Sequence, residues 1–336
     1  MIINENNKQY IIHICDNLKN INFMIKWITD FLNNKERRLI GIDFEFNRVN
    51  NERKIALCQL NMETMSRGNL SNYIFIFYPP DIKNNIFVKL LTDTTIIKIL
   101  HGGESLDVPY LFSEVLVNER DRYNFCINLF DTRYMCEYYN ISNNLITNRC
   151  RIYDLLLQMN IITNKKYNEL EMNDKLMGNI WEINLAVNKL SHRAIIYCLY
   201  DVLYLPSLFD SFPKTDVYLK ILPEISNYNS INRHTGDFIK IHNMISKYNT
   251  HYYNNISYTD IYISVYIWLE CYDEFKFLFH INYFKKFYEI IIKNIIYSKI
   301  SNEYKKNVYP IVANDINNPI LIQFQTKLLK YINMMF

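Results

Sequence analysis

The chain of 336 residues is 49% hydrophobic and 21% charged, which excludes a mostly disordered protein. Only six glycines and eight prolines are present, which excludes collagen-like and Gly-rich repeat proteins. The formal net charge of +3 neither requires nor excludes a nucleic-acid partner. The seven cysteines include no C-x-x-C pair, which argues against a Cys-based zinc site.

Hydrophobic periodicity predicts an α/β arrangement for residues 1–212, beginning with a helix over residues 22–34. The five predicted strands cover residues 39–46, 54–62, 73–78, 96–100 and 125–130. The later helices are predicted over residues 85–92, 104–115, 132 onward, 152–159 and 190–209. Three meandering strands followed by a parallel crossover predict a mixed five-stranded sheet with helices on its faces.

The character of the sequence changes after Pro213. Helical-looking segments interrupted by Asn and Tyr run to the end, without a clear strand pattern. From Phe212 onward, 14 Lys or Arg against 10 Asp or Glu make this part mildly basic. We therefore predict two domains. They are an α/β domain over residues 1–212 and an all-α C-terminal domain of unknown role over residues 213–336.

The sequence shows no targeting or membrane-spanning pattern. The N-terminal segment lacks a basic region followed by an apolar stretch. The longest apolar run of the C-terminal part, over residues 261–269, is far shorter than the roughly 20 residues that a membrane span needs. We expect a soluble intracellular protein, cytoplasmic or nuclear, with no membrane partner.

Two acidic residues share one face of the first predicted strand. Ile42, Phe44 and Phe46 point to one side, whereas Asp43 and Glu45 point to the other. Adjacent carboxylates repel each other. Burial raises the free-energy cost of keeping both of them ionised unless a cation binds between them. Mg²⁺ prefers oxygen ligands of this kind. The pair is a candidate metal site, although a solvated face of an edge strand also explains it.

Adjacent glycines follow the fourth predicted strand. Gly102 and Gly103 are two of only six glycines, and Asp107 lies just beyond them at the start of a predicted helix. Such a pair indicates a backbone that turns sharply or comes close to another group. Asp107 is a further candidate ligand, although the helix N-terminus alone also favours an acidic residue there.

Tyr197 and Asp201 lie four residues apart in the predicted helix over residues 190–209, and this spacing places them on one face. With 28 tyrosines in the chain, such a pair also arises by chance. The pair counts as evidence for a functional site because it follows the two earlier acidic motifs in the sequence.

Together, the three motifs resemble the RNase D-like branch of the DEDD 3′–5′ exonucleases, in the subgroup with a tyrosine in its third motif (DEDDy). The first motif reads GIDFEFNRVNNERKIALCQL, the second KILHGGESLDVPYLF followed by Phe130-Asp131-Thr132, and the third KLSHRAIIYCLYDVLYL. The resemblance covers about residues 36–212. Many relatives have one residue fewer between the histidine and the aspartate of the second motif. Relatives often carry Arg-Pro where this chain has Asn188-Lys189.

The resemblance implies a ribonuclease H-like fold and a metal-dependent enzyme. It would release nucleoside 5′-monophosphates from single-stranded 3′ ends, with RNA favoured over DNA. Two divalent cations, Mg²⁺ or Mn²⁺, would stabilise the attacking and leaving oxygens. The implied ligands are Asp43, Glu45, Asp107 and Asp201, and Tyr197 would orient the attacking water.

A pocket for the terminal nucleotide would be lined by Phe46 and His101, through stacking and hydrogen bonding. A structural role for His101 is equally open. Asp131 fits an N-cap of the following helix better than a metal ligand.

Two alternatives remain open. The chain could be a catalytically silent nucleic-acid- or protein-binding module on an exonuclease fold, although such proteins usually lose an acidic ligand. Residues 213–336 could also recruit a protein partner, whose identity the sequence does not indicate.

Overall fold

The computed structural model describes residues 1–223 apart from residues 7, 51, 67–68, 83–84, 104–105, 144–149, 179–182 and 216. The chain divides into two units, of which the first comprises Met1–Arg133 and Cys150–Pro213. The second comprises Tyr134–Arg149 and Lys214–Phe336. Its described residues include a short π-helical segment, Val217–Ile221. Most of the predicted all-α domain over residues 213–336 lies outside the described residues.

A mixed sheet forms the centre of the first unit. Within the described residues its seven strands are β1 (Ile2–Glu5), β2 (Lys8–Ile14), β3 (Arg38–Val49), β4 (Glu52–Ser66), β5 (Asn69–Phe77), β6 (Ile97–Leu100) and β7 (Leu129–Asp131). Their order is β1-β2-β5-β4-β3-β6-β7. Strands β3, β4 and β5 form an antiparallel meander, whereas β6 pairs in parallel with β3 and with β7.

The predicted α/β class and mixed sheet are confirmed, but the predicted number of five strands is wrong. The N-terminal hairpin of β1 and β2 extends the sheet, because β2 pairs in parallel with β5. Each strand of this hairpin is short, and polar residues interrupt its apolar pattern. The meander was predicted close to its observed position.

The described part of the chain contains nine α-helices. They are α1 (Leu18–Asn33), α2 (Ile86–Thr92), α3 (Asp107–Tyr110), α4 (Glu119–Cys126), α5 (Thr132–Ser142), α6 (Ile152–Gln158), α7 (Asn164–Met177), α8 (His192–Leu203) and α9 (Leu205–Ser211). A π-helical segment, Leu111–Val115, continues α3. None of the described helices is both long and apolar enough to span a membrane.

The predicted strand over residues 125–130 is largely wrong. Its first residues end α4, whose N-cap Asn118 accepts the backbone N–H of Asp121 at 2.8 Å. Two acidic residues in the first turn also suit the helix dipole. The strand β7 therefore begins only at Leu129.

The single helix predicted over residues 190–209 is two helices. Its break falls at Tyr204, because Pro206 lacks a backbone N–H and occupies the first turn of α9. Helix α7 was not predicted, since it is largely polar and buries only Leu170.

The end of α8 lies directly against the sheet. A Cβ atom at Gly41 of β3 would lie 3.0 Å from Leu205 Cβ and 3.2 Å from Val202 O. Asn61 of β4 donates from Nδ2 to the carbonyls of Val202 and Leu203, at 3.1 and 2.9 Å. This close approach fixes the distance between the end of α8 and the central strands β3 and β4.

Candidate metal centre and active site

A cavity of about 260 Å³ opens between β3, the segment after β6, and α8. Every residue that the sequence predicted for the site lies in its wall, namely Asp43, Glu45, Phe46, His101, Asp107, Tyr197 and Asp201. The remaining lining residues are Phe44, Gly102, Leu106 and Ile152. The fold therefore brings three motifs that are distant in sequence to one place.

Three of the carboxylates form a compact group. One carboxylate oxygen each from Asp43, Glu45 and Asp201 lies within 4.8 Å of the others. Strand alternation turns Asp43 and Glu45 to the same face of β3, and α8 supplies Asp201. Asp107 is buried in the wall of the same cavity but lies outside this group.

The electrostatics of this group favour a bound cation. Burial raises the pKa of Asp43 to about 7. Burial and then the charges of Asp43 and Asp201 raise the pKa of Glu45 well above its usual value. Burial and the charge of Asp43 do the same for Asp201. Among the described residues, no lysine or arginine forms an ion pair with these three. The set of oxygen donors fits a hard divalent ion.

Tyr197 lies one helical turn before Asp201. The charge of Asp201 is the largest cause that raises the pKa of the Tyr197 phenol well above its usual value, and burial adds to it. The phenol is therefore protonated at any physiological pH and acts as a hydrogen-bond donor.

The turn between β6 and α3 requires its two glycines. Gly102 has a φ of +72°, a conformation that favours glycine. A Cβ atom at Gly103 would lie 2.8 Å from Leu100 Cδ1 and 3.3 Å from Asp107 Oδ2. The glycine pair was expected to mark a sharp turn or a close approach of the backbone to another group, and the turn meets both expectations: Gly102 has a positive φ, and Gly103 lies close to Leu100 and Asp107.

Asp131 stands beside this turn at the end of β7. Its carboxylate accepts the backbone N–H of Arg133 at 2.9 Å, as expected for an N-cap of α5. It also accepts the backbone N–H groups of Gly102 and Gly103, at 2.9 and 3.0 Å. The sequence did not indicate these two contacts.

The ring of His101 is held by the protein. Its Nδ1 lies 2.9 Å from Thr132 Oγ1, and its Nε2 lies 2.9 Å from Cys150 O. Burial lowers the pKa of His101, and Nε2–H donates to the Cys150 carbonyl, because a carbonyl oxygen can only accept. Both ring nitrogens are engaged within the protein, which leaves the ring itself to line the cavity.

Phe46 is buried and packs edge-on against Tyr110, with ring centroids 5.8 Å apart. Only a small part of Phe46 is left to face the cavity. A ligand in the cavity would therefore contact only the exposed edge of the Phe46 ring.

Sequence reasoning missed two kinds of residue near the centre. Ile152 of α6 and Leu106 line the cavity without belonging to any charged motif. Asp174 of α7 adds negative charge that raises the pKa of Glu45 and of Asp201. No local pattern distinguishes Asp174 from other acidic residues of a polar helix, so the sequence held no signal for it.

Comparison with known proteins places these residues in a wider context. A family model for 3′–5′ exonucleases matches residues 14–215. The uncharacterised protein L533 of Acanthamoeba polyphaga mimivirus is 29% identical in an alignment of 338 positions, gaps included, which covers 88% of this chain and 65% of that protein. The chain thus spans less than two thirds of the length of this relative.

Solved structures give weaker likenesses. The complex of Trypanosoma brucei RNase D with GMP has a TM-score of 0.46 and 14% identity, and the match covers 67% of this chain and 63% of that one. Brucella melitensis NrnC has a TM-score of 0.31 and 19% identity, over 51% of this chain and 69% of that one.

Proposed function

Since the chain belongs to the 3′–5′ exonuclease family, we propose that it removes nucleoside 5′-monophosphates from the 3′ ends of single-stranded nucleic acid. The observation that carries this proposal is the approach of Asp43, Glu45 and Asp201 within 4.8 Å of one another. Asp107 and Tyr197 line the same cavity and complete the set that this chemistry needs.

The four carboxylates would hold two divalent cations, Mg²⁺ or Mn²⁺. When bound, such a pair stabilises the attacking and the leaving oxygen and acidifies the attacking water. The charges match, because four carboxylates offset the four positive charges of two ions. Glu45 is buried and Asp43 and Asp201 are half-buried, and no lysine or arginine among the described residues pairs with these three carboxylates in competition with cations.

Each protein group has a role that its surroundings support. Asp43 and Glu45 project from a central strand, which holds them rigidly for ligation. The Tyr197 phenol keeps its proton and donates a hydrogen bond that orients the attacking water. His101 and the exposed edge of Phe46 would border the terminal nucleotide.

We assign the chain to the RNase D-like DEDDy subgroup on the order of its motifs, and in particular on Tyr197 four residues before Asp201. The preference for RNA over DNA comes from the same resemblance. It would require contacts to the 2′-hydroxyl group.

Matched single-stranded RNA and DNA oligomers, labelled at the 5′ end, test this function. With Mg²⁺ or Mn²⁺ we expect a ladder that shortens from the 3′ end one nucleotide at a time, faster for RNA, and no shortening in EDTA. The Asp201→Asn variant should bind the oligomers but leave them intact. If wild-type protein binds the oligomers and never shortens them with either metal, the chain is a silent binding module.

A further inference from the structure

The segment that carries Asp107 is held from a neighbouring strand. Parallel pairing of β6 with β7 places Leu100 opposite Asp131, so Asp131 stands where β6 ends and the glycine turn begins. Asp131 is itself buried. Its carboxylate is therefore a fixed point next to a turn that Gly102 and Gly103 form.

Both carboxylate oxygens of Asp131 are engaged by backbone N–H groups. Oδ1 accepts from Gly102 at 2.9 Å and from Arg133 at 2.9 Å, and Oδ2 accepts from Gly103 at 3.0 Å. Hydrogen bonds to a charged acceptor are about twice as strong as neutral ones. One side chain thus ties the glycine turn to the start of α5.

The turn at Gly102 and Gly103 determines the position of Asp107. The carbonyl of Gly103 accepts the backbone N–H of Val108 at 2.9 Å, in the first turn of α3. Gly103 also lies so close to Asp107 that a Cβ atom there would be 3.3 Å from Asp107 Oδ2. Any shift of Gly103 would therefore move the Asp107 carboxylate.

Thr132, the neighbour of Asp131, holds the other side of the turn. Its hydroxyl lies 3.0 Å from the carbonyl of Leu100 and 2.9 Å from Nδ1 of His101. The two consecutive residues Asp131 and Thr132 therefore contact every residue from Leu100 to Gly103.

We propose that Asp131 is a positioning residue, which fixes the turn at Gly102 and Gly103 so that the Asp107 carboxylate faces the metal centre. This inference rests on the proposed function. Asp131 would not itself bind the cation, because it does not line the cavity of the metal centre and three N–H groups hold its carboxylate at the glycine turn.

The test uses the full chain with an Asp131→Asn variant, which keeps the size of the side chain but replaces one acceptor oxygen by a donor. Binding of Mn²⁺ is measured by calorimetry, beside the rate of nucleotide release and the denaturant midpoint. Loss of a group that orients a metal ligand typically weakens affinity or activity by about 10- to 100-fold. We expect a loss of this size in both Mn²⁺ affinity and rate.

Asp93→Asn is the matched control. Asp93 lies before the other end of β6, accepts the backbone N–H of Thr95 at 2.8 Å and pairs with Arg38 at 3.3 Å. Its substitution should lower the denaturant midpoint while Mn²⁺ affinity and rate stay at wild-type values. A merely structural Asp131 would behave in the same way as Asp93.

A second variant guards against a folding defect. Asp131→Ser retains a side chain that caps α5 but cannot span both glycine N–H groups, and it should lose Mn²⁺ affinity to a similar extent. If wild-type protein binds Mn²⁺ and releases nucleotides while both Asp131 variants match it, the inference is wrong and the proposed function stands. If wild-type protein neither binds Mn²⁺ nor releases nucleotides, both are wrong.

Discussion

Tyr197 and Asp201 lie one turn apart on α8, and the carboxylate of Asp201 keeps the phenol of Tyr197 protonated by raising its pKa. The pair therefore combines an acceptor that suits a cation with a donor that suits a water or phosphate oxygen. In the proposed mechanism the phenol would act through its hydrogen bond rather than by taking up a proton.

Tyr197→Phe removes this donor and leaves the carboxylates in place. We expect the rate of nucleotide release to fall by about 100-fold, the lower end of what the loss of one positioned hydrogen-bond donor costs, with Mn²⁺ affinity unchanged. Single-turnover kinetics and calorimetry measure the two quantities. Tyr200→Phe on the same helix is the control, since Tyr200 bonds to Lys166 and Glu5 instead. Equal rates for Tyr197→Phe and wild type would mean that the third motif is misassigned.

Asp43→Asn should stabilise the metal-free protein. Burial raises the pKa of Asp43 from its usual 3.8 to about 7. The folded state therefore binds the proton more tightly than the unfolded state, and stability is lost as the pH rises from about 4 to 7. At 1.36 kcal/mol per pKa unit, the free energy of unfolding of the variant in EDTA at pH 8 should exceed that of wild type by up to about 4 kcal/mol.

Urea unfolding at pH 4 and pH 8 checks this expectation. The difference should nearly vanish at pH 4, where the carboxyl is protonated in the folded protein. Saturating Mn²⁺ should stabilise wild type far more than the variant. A variant that is less stable than wild type in EDTA at pH 8 would contradict the electrostatic account.

Lys98→Met tests a second buried charge, remote from the metal centre. Lys98 is fully buried in β6 and donates to the carbonyls of Asp93 and Ile96, both at 3.1 Å. Burial lowers its pKa from 10.5 to about 8. Between these values the unfolded chain binds more protons than the folded one, so wild type gains stability as the pH rises.

The free energy of unfolding of wild type, relative to Lys98→Met, should therefore rise by about 3 kcal/mol between pH 7.5 and 10.5. Denaturant titrations across this pH range measure how the difference in free energy of unfolding changes with pH. The control substitution is Lys165→Met, which removes an exposed ammonium group instead of a buried one. A difference for Lys98→Met that does not change with pH would show that its ammonium group is not desolvated.

Gly103→Ala should displace Asp107. The added Cβ would lie 2.8 Å from Leu100 Cδ1, which must move, and 3.3 Å from Asp107 Oδ2, which must shift by a few tenths of an ångström. Overpacking costs about 1–3 kcal/mol. Misplacement of a reacting group by about 1 Å costs about 100-fold in rate, so we expect this smaller shift to cost about 10-fold. Gly178→Ala is the control, because its Cβ would meet nothing within 4 Å while its φ of +82° still strains alanine. It should lose stability but keep full activity.

Local patterns predicted the parts of the site that depend on one element. Strand alternation placed Asp43 and Glu45 on one face, and helical spacing paired Tyr197 with Asp201. Non-local relationships were not predictable in this way. The hydrogen bonds from Gly102 and Gly103 to Asp131 depend on the pairing of β6 with β7, which no periodicity encodes. The same holds for the N-terminal hairpin, because its pairing partner β5 lies about 60 residues further along the chain.

The close contact between the end of α8 and the sheet has a consequence for the choice of ion. Asn61 holds the carbonyls that directly follow Asp201, and Gly41 allows α9 to begin in contact with β3. The distance between Asp201 and the two strand carboxylates is thereby set by the backbone and cannot expand freely. Ca²⁺ requires longer bonds and more ligands than Mg²⁺. In the proposed metal centre a spacing held by the backbone would favour Mg²⁺ over Ca²⁺, and this preference would originate in the absence of a side chain at residue 41.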